Sequence, residues 1–237
     1  MKAATDRLAK ARVHICGTGR IGTHIAMALH ESGVGEISCN DPQRFESEQL
    51  EVCAFSRRSD LGREKVYVLE RFLDGRPSFV FHPIAAPNES PKVQPYLERA
   101  DLIVSCANNL AARLHLERMA VRLSKPSIQV CVQDGRNALG GLVSLWAPGA
   151  DDSCFGCLFP DPGQRFRRGE VLAPTVTRLV ASVAAHLVVE ILTGRAVEIA
   201  RSSNVFRVDI GAYKLEPMLV RRRTGCQICG DSRHGEK

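Results

Sequence analysis

Two pairs of cysteines and one glycine loop are the residues whose types and spacing carry chemistry. Cys154 and Cys157 form one Cys-x-x-Cys pair, and Cys226 and Cys229 form another. Each pair turns two thiolates toward one point. Two such turns complete a closed tetrahedral Zn²⁺ site with no open position, so the metal's role would be structural. A redox dithiol is the rival use of the same residues. Gly17-Thr-Gly-Arg-Ile-Gly22 is the loop. Gly17 would permit the tight turn, Gly19 would let the backbone approach a phosphate, and Gly22 would let a helix pack on a strand. The free N–H groups at that helix start would face anionic oxygens. Asp41 follows about twenty residues later, the spacing at which an acid accepts hydrogen bonds from a ribose diol. The plainer alternatives are a glycine turn kept for packing and a turn acid before Pro42.

These residues need elements to position them. Arg12–Cys16 reads as a short buried strand, and residues 23–32 as a helix with Ile25, Ala26 and Leu29 on one face and Gly33 as its stop. Glu36–Asn40 reads as a second strand. Residues 42–60 read as a polar loop over the site, and 63–73 as a helix. Strands follow at 78–84, 101–105 and 127–132, with a proline-marked loop from Pro83 to Pro95 and a helix over 110–123. Strands alternating with helices predict an α/β, Rossmann-like, doubly wound and mostly parallel sheet. After Gly140 the pattern changes. A strand at 141–146 leads into the first cysteine pair. A long apolar helix at 174–193 stops at Gly194, and strands at 204–208 and 215–221 form an antiparallel hairpin leading to the second pair. One domain over residues 1–237 is expected, with fraying from Ser232.

The 237 residues are 44% hydrophobic and 24% charged, values that allow a full core without disulfide staples. Cys16, Cys39, Cys53, Cys106 and Cys131 then read as small buried residues in a reducing compartment. No apolar run of about 18–20 residues and no secretory leader is evident, so a cytoplasmic protein without membrane contact is expected. The net charge of +6 is clustered at Arg165, Arg167 and Arg168 and at Arg221 to Arg223. These runs read as solvated surface or as a docking patch for an acidic partner. With 5% aromatic residues and no recognition motif, nucleic-acid binding is not expected.

Taken together, the residues from Val13 to Lys65 resemble the adenylating domains of the ThiF/MoeB/HesA and ubiquitin-activating superfamily. The order is the glycine loop, Gly33-Val-Gly-Glu-Ile37, Asp41, a variable loop, and Asp60-Leu-Gly-Arg-Glu-Lys65. Ala100 to Asn109 resembles the family's fourth strand. Cys154 to Pro160 and Cys226 to Cys229 resemble its zinc pairs, and Leu172 to Gly194 the helix between them. The resemblance implies ATP with Mg²⁺ as the nucleotide and adenylation of the C-terminal carboxylate of a ubiquitin-like or sulfur-carrier protein, or of a peptide. Homodimers or heterodimers with a related subunit are implied as well. It assigns Asp41 to the ribose and Lys65 to the phosphates, where cations must offset developing charge.

The departures are specific. The family's arginine in the loop after the ribose acid aligns with Val52, which leaves Arg58, or Arg57, as the substitute cation. Its Mg²⁺ aspartate aligns with Asn108, a weaker ligand. The arginine-bearing N-terminal helix of many members is expected to be missing, and residues 164–169 lack the thioester cysteine. Two functions therefore compete. One is an ATP-dependent adenylyltransferase without the thioester cysteine. The other is a catalytically degenerate nucleotide-binding subunit that partners an active enzyme. A nicotinamide- or flavin-dependent oxidoreductase rests on the glycine loop alone.

Overall fold

The structure is a computed structural model that describes residues 2–47, 56–73, 75–133, 140–150, 153–160 and 174–230. Its strands are β1 Arg12–Cys16, β2 Glu36–Asn40, β3 Val80–Ile84, β4 Leu102–Ser105, β5 Ser127–Gln133, β6 Gly140–Trp146, β7 Val205–Asp209 and β8 Lys214–Met218. The helices are α1 Lys2–Lys10, α2 Arg20–Glu31, α3 Lys65–Leu73, α4 Gln94–Arg99, α5 Leu110–Arg122, α6 Phe155–Leu158, α7 Pro174–Glu190 and α8 Ala196–Ser202.

The described strands form one sheet of eight in the order β3-β2-β1-β4-β5-β6-β7-β8. Pairing is parallel from β3 to β5. It turns antiparallel from β5 through β8. Alternation along each strand assigns the two faces. Val13 and Ile15 of β1, Ile37 of β2, Leu102 and Val104 of β4, and Ile128 and Val130 of β5 enter a core shared with α2, α3 and α7. Cys16 and Ile103 point the other way, into a core with Leu97 of α4 and Leu116 and Ala120 of α5. The strand order reverses direction between β1 and β4, which opens a crevice at their carboxyl ends, where ligands of such sheets bind.

Three helices depart from the sequence expectation. Residues 2–10 form α1, which places Arg7 so that its Nη1 donates to the Thr193 carbonyl at 2.6 Å. An arginine-bearing helix is thus present at the start, with its guanidinium engaged inside the chain. Inside the expected proline loop, α4 begins with Pro95 in its first turn, where proline's missing N–H costs nothing. Gly194 does not end the long helix. At φ 106° it makes a kink within the turn Ile191–Arg195, and the chain resumes helically as α8. The whole stretch Pro174–Ser202 runs 29 residues with a mean hydropathy of 1.6 in its most apolar window, so by length and composition it could cross a membrane. Half of that window is buried inside the fold, and Arg178 and Glu190 interrupt the apolar run. Val180, Ala184, Leu187 and Val188 of this stretch are buried in the core, which accounts for its apolar character.

Candidate functional site

A cleft of about 390 Å³ opens at the crevice, within the size range of small-molecule sites. It is lined by Gly17 and Gly19 of the loop, Asp41 to Gln43 beyond β2, Pro87 to Glu89 beyond β3, and Cys106 to Asn109 between β4 and α5.

The glycine loop is shaped by close approach. Gly17 sits at φ +93°, a conformation that favours glycine. A Cβ on Gly22 would lie 1.8 Å from the Gly17 carbonyl oxygen, so α2 crosses the loop where no side chain fits. A Cβ on Gly19 would meet no atom within 4 Å, because Gly19 faces the cleft. Gly19 also caps α2 without any side-chain hydrogen bond, which leaves the first N–H groups of the helix available to an anion.

Asp41 is 5% exposed and holds this loop. Its Oδ2 accepts the Thr18 N–H at 2.9 Å and its Oδ1 accepts the Gln43 N–H at 2.8 Å. Asn108 lines the cleft beside Asn109, whose side chain caps α5 by accepting the Ala112 N–H at 2.8 Å. Asn108 therefore offers a neutral amide where a carboxylate would hold Mg²⁺ better.

The two proposed cations stand outside the lining. Lys65 is 5% exposed at the start of α3, and its Nζ donates to Gln43 Oε1 at 2.7 Å. Gln43, not Lys65, forms the wall. Arg58 lies exposed on a 3-10 turn, Arg58–Asp60. Among the described lining residues there is no lysine or arginine. Gln49, Val52, Cys53, Arg165, Arg167, Arg168 and the segment 164–169 lie outside the described residues.

Beneath the cleft lies a polar chain that spacing did not reveal. His14 is wholly buried in the centre of β1, with Nδ1 2.7 Å from Ser38 Oγ and Nε2 3.1 Å from Asn40 Oδ1. Asn40 Nδ2 donates to the Ala86 carbonyl at 3.0 Å and to Asn88 Oδ1 at 2.9 Å. Burial pushes His14 down to about 4, partly offset by the Asn40 hydrogen bond, so the ring is neutral near pH 7. Cys106, on the cleft wall, is pushed up to about 12 by burial, so its thiol stays protonated. The alternation of His14 against Val13 and Ile15 was the available signal: a polar side chain on the inward face of a buried strand demands partners.

The four paired cysteines do meet. All four Sγ atoms lie within 4.8 Å of one another. Cys154 stands 4.0 Å from Cys157 and 3.6 Å from Cys226, and Cys157 stands 3.5 Å from Cys229. Four sulfurs about 2.3 Å from one tetrahedral ion are about 3.8 Å apart, so the set fits Zn²⁺. Both knuckles are closed by backbone bonds, Cys157 N–H to Cys154 O at 2.9 Å and Gly230 N–H to Cys226 O at 2.7 Å. The Cys157 thiol is held low by the hydrogen bonds of Cys154 and Cys229 and, further, by the Arg223 N–H, which favours a thiolate. Of the remaining described cysteines, Cys16 and Cys39 are buried as expected, while Cys106 and Cys131 are partly exposed.

Comparison with known proteins places this geometry. The chain is 25% identical over 232 residues to the sulfur carrier protein ThiS adenylyltransferase of Escherichia coli K12, covering 96% of this chain and 89% of that protein. It is 27% identical to the adenylyltransferase and sulfurtransferase uba4 of Emericella nidulans, covering 94% of this chain and 48% of that longer protein. The fold superposes on the crystal structure of E. coli MccB with ATP at a TM-score of 0.79, with 22% identity, over 97% of this chain and 69% of that one. The ThiF family model matches residues 1–228, so the loop, the crevice and the cysteine cluster described above are those of a chain that belongs to the ThiF family.

Proposed function

We propose that the chain binds ATP in the cleft and transfers AMP to a carboxylate at the C-terminus of a sulfur-carrier or ubiquitin-like protein, or of a peptide. The observation that carries this reading is the Gly17–Gly22 loop, whose uncapped helix start opens into a cleft flanked by Asp41. Phosphate oxygens would meet the N–H groups of α2. The ribose would lie against Asp41, whose carboxylate already fixes the loop and has lone pairs to spare. The attacking carboxylate oxygen would form the new bond to the α-phosphorus as pyrophosphate departs. Mg²⁺ would arrive on the phosphates and neutralise part of their charge. Lys65 would complete that neutralisation by leaving Gln43, one wall residue away from the cleft. The cysteine cluster would hold Zn²⁺ in a structural role, and the whole chain would act as one domain that pairs with a second subunit.

One observation favours a second reading. The described cleft lining contains no cation, so the chain would bind nucleotide and rely on a related active subunit for turnover.

The test is titration of ATP with Mg²⁺ into the purified chain and into Lys65→Ala, followed by pyrophosphate release with a purified sulfur-carrier protein. Binding that weakens by more than about tenfold in the variant, with release of pyrophosphate, supports the transferase. Binding unchanged in the variant and without release selects the second reading. No binding to either protein overturns both.

A further inference from the structure

We infer that a single buried water joins Ser105, Arg113 and Gln129 and so pins both ends of the loop that forms one wall of the cleft. The inference goes beyond the nucleotide reading and holds whatever fills the cleft.

Ser105 ends β4, and Gln129 stands beside it in register on β5. Both side chains point toward α5. Ser105 follows the alternation of Ile103, which enters the core shared with α5, and Gln129 alternates with Ile128 and Val130 of the opposite core. The Pro126 carbonyl, at the entry to β5, accepts the Ile103 N–H at 3.0 Å, so every second carbonyl from there faces β4. Val130 aims its carbonyl the same way, but past the last residue of β4. Arg113 of α5 takes that rung, with Nη2 donating to Val130 O at 2.8 Å. Its guanidinium therefore lies just beyond Ser105.

Three buried side-chain atoms at this joint have no hydrogen-bond partner among the described residues: Ser105 Oγ, Arg113 Nη1 and Gln129 Oε1. Their residues are 0%, 6% and 1% exposed, so bulk water does not serve them. Gln129 cannot turn over to change its needs. Its Nε2 donates to Glu117 Oε2 at 3.0 Å and to the Arg113 carbonyl at 3.4 Å, and that carbonyl only accepts. The joint needs one group that accepts from a guanidinium and donates to an amide oxygen. A simple anion has no proton for Gln129, and a cation is repelled by Arg113. Water does both, and the Ser105 hydroxyl, able to donate or accept, completes the three bonds usual for a buried water.

Ser105 and Arg113 are the residues just before and just after the loop 106–112. That loop gives Cys106 to Asn109, Ala111 and Ala112 to the cleft. The water thus closes the base of the loop and holds the wall in shape from behind.

A crystal structure of the full chain, from a crystal soaked in bromide, tests the site. A fully occupied water peak within hydrogen-bond reach of all three atoms, without anomalous signal, is expected. A bromide peak at that position, or the three atoms satisfied by protein groups alone, overturns the inference. Amide hydrogen exchange tests the pin. Ser105→Ala removes one partner and should speed exchange across residues 107–112 by about tenfold, with the amides of β7 unchanged. Ser105→Thr keeps the hydroxyl and should exchange as the wild type does. Equal loop exchange in all three chains, or a rise in β7 as large as in the loop, overturns the pinning role.

Discussion

Glu117 of α5 accepts the backbone N–H of Phe155 at 2.8 Å, which ties the middle of one sheet face to the residue following Cys154, the first cysteine of the cluster. The same carboxylate accepts from Ser127 Oγ at 2.8 Å and Gln129 Nε2 at 3.0 Å on β5. At 1% exposure it is raised by burial, with these three donors opposing the rise. Replacing Glu117 by Leu strands three buried donors. The expected loss is about 2–4 kcal/mol of unfolding free energy. Urea denaturation would measure it, and an unchanged midpoint would remove the tie.

The cysteine cluster should bind one Zn²⁺ per chain, read by elemental analysis. Cys226→Ser should abolish stoichiometric zinc. Prolonged chelation should lower the melting temperature, because metal affinity in such a closed site is folding free energy. A chain that remains metal-free, with full stability, would return the four thiols to the redox alternative.

Gly22→Ala tests the loop without touching a charge. The added methyl would lie 1.8 Å from the Gly17 oxygen, so the turn must shift. A loss of about 2 kcal/mol or more is expected, together with loss of ATP binding, checked by thermal melting and calorimetry. Gly19→Ala, which meets no protein atom within 4 Å, should melt normally.

His14 should make the fold acid-sensitive. Its value of about 4 in the folded chain is below the ordinary 6.5 of an unfolded one. The unfolded state therefore binds the extra proton first. The stability that depends on a neutral ring is complete above about pH 6.5 and is lost as pH falls toward 4. The full loss is about 3 kcal/mol. Unfolding free energies of His14→Gln should slope less steeply over that window than those of the wild type. Equal slopes would place the acid sensitivity elsewhere.

Local spacing made much of this legible. The run from Gly17 to Gly22 and the two Cys-x-x-Cys pairs announce themselves within a few residues, and the structure brings each set together. The alternation of strands and helices from Arg12 to Val132 gave the parallel half, and the strand-like stretches 204–208 and 215–221 the hairpin. Gly194 misled because a glycine after an apolar helix usually ends it, whereas here both flanking turns pack and the positive φ only bends the axis. Lys65 was readable by its place in a motif, but its burial against Gln43 depends on residues far apart along the chain. The Ser38, His14, Asn40 and Asn88 chain joins two strands and the segment beyond β3, and no spacing within any one of them encodes it.

The cysteine cluster also decides how the molecule would bear mechanical load. Its two halves are joined across 72 residues, a span that holds α7, α8 and the β7–β8 hairpin. The edge pair β7–β8, pulled from beyond Cys229, would peel open one rung at a time. With a metal in the cluster, tension applied at the chain's ends passes from Cys226 directly to Cys154 and bypasses everything between. The enclosed segment then carries no force, and the load falls instead on β6 where it leaves its seven-residue antiparallel pairing with β5.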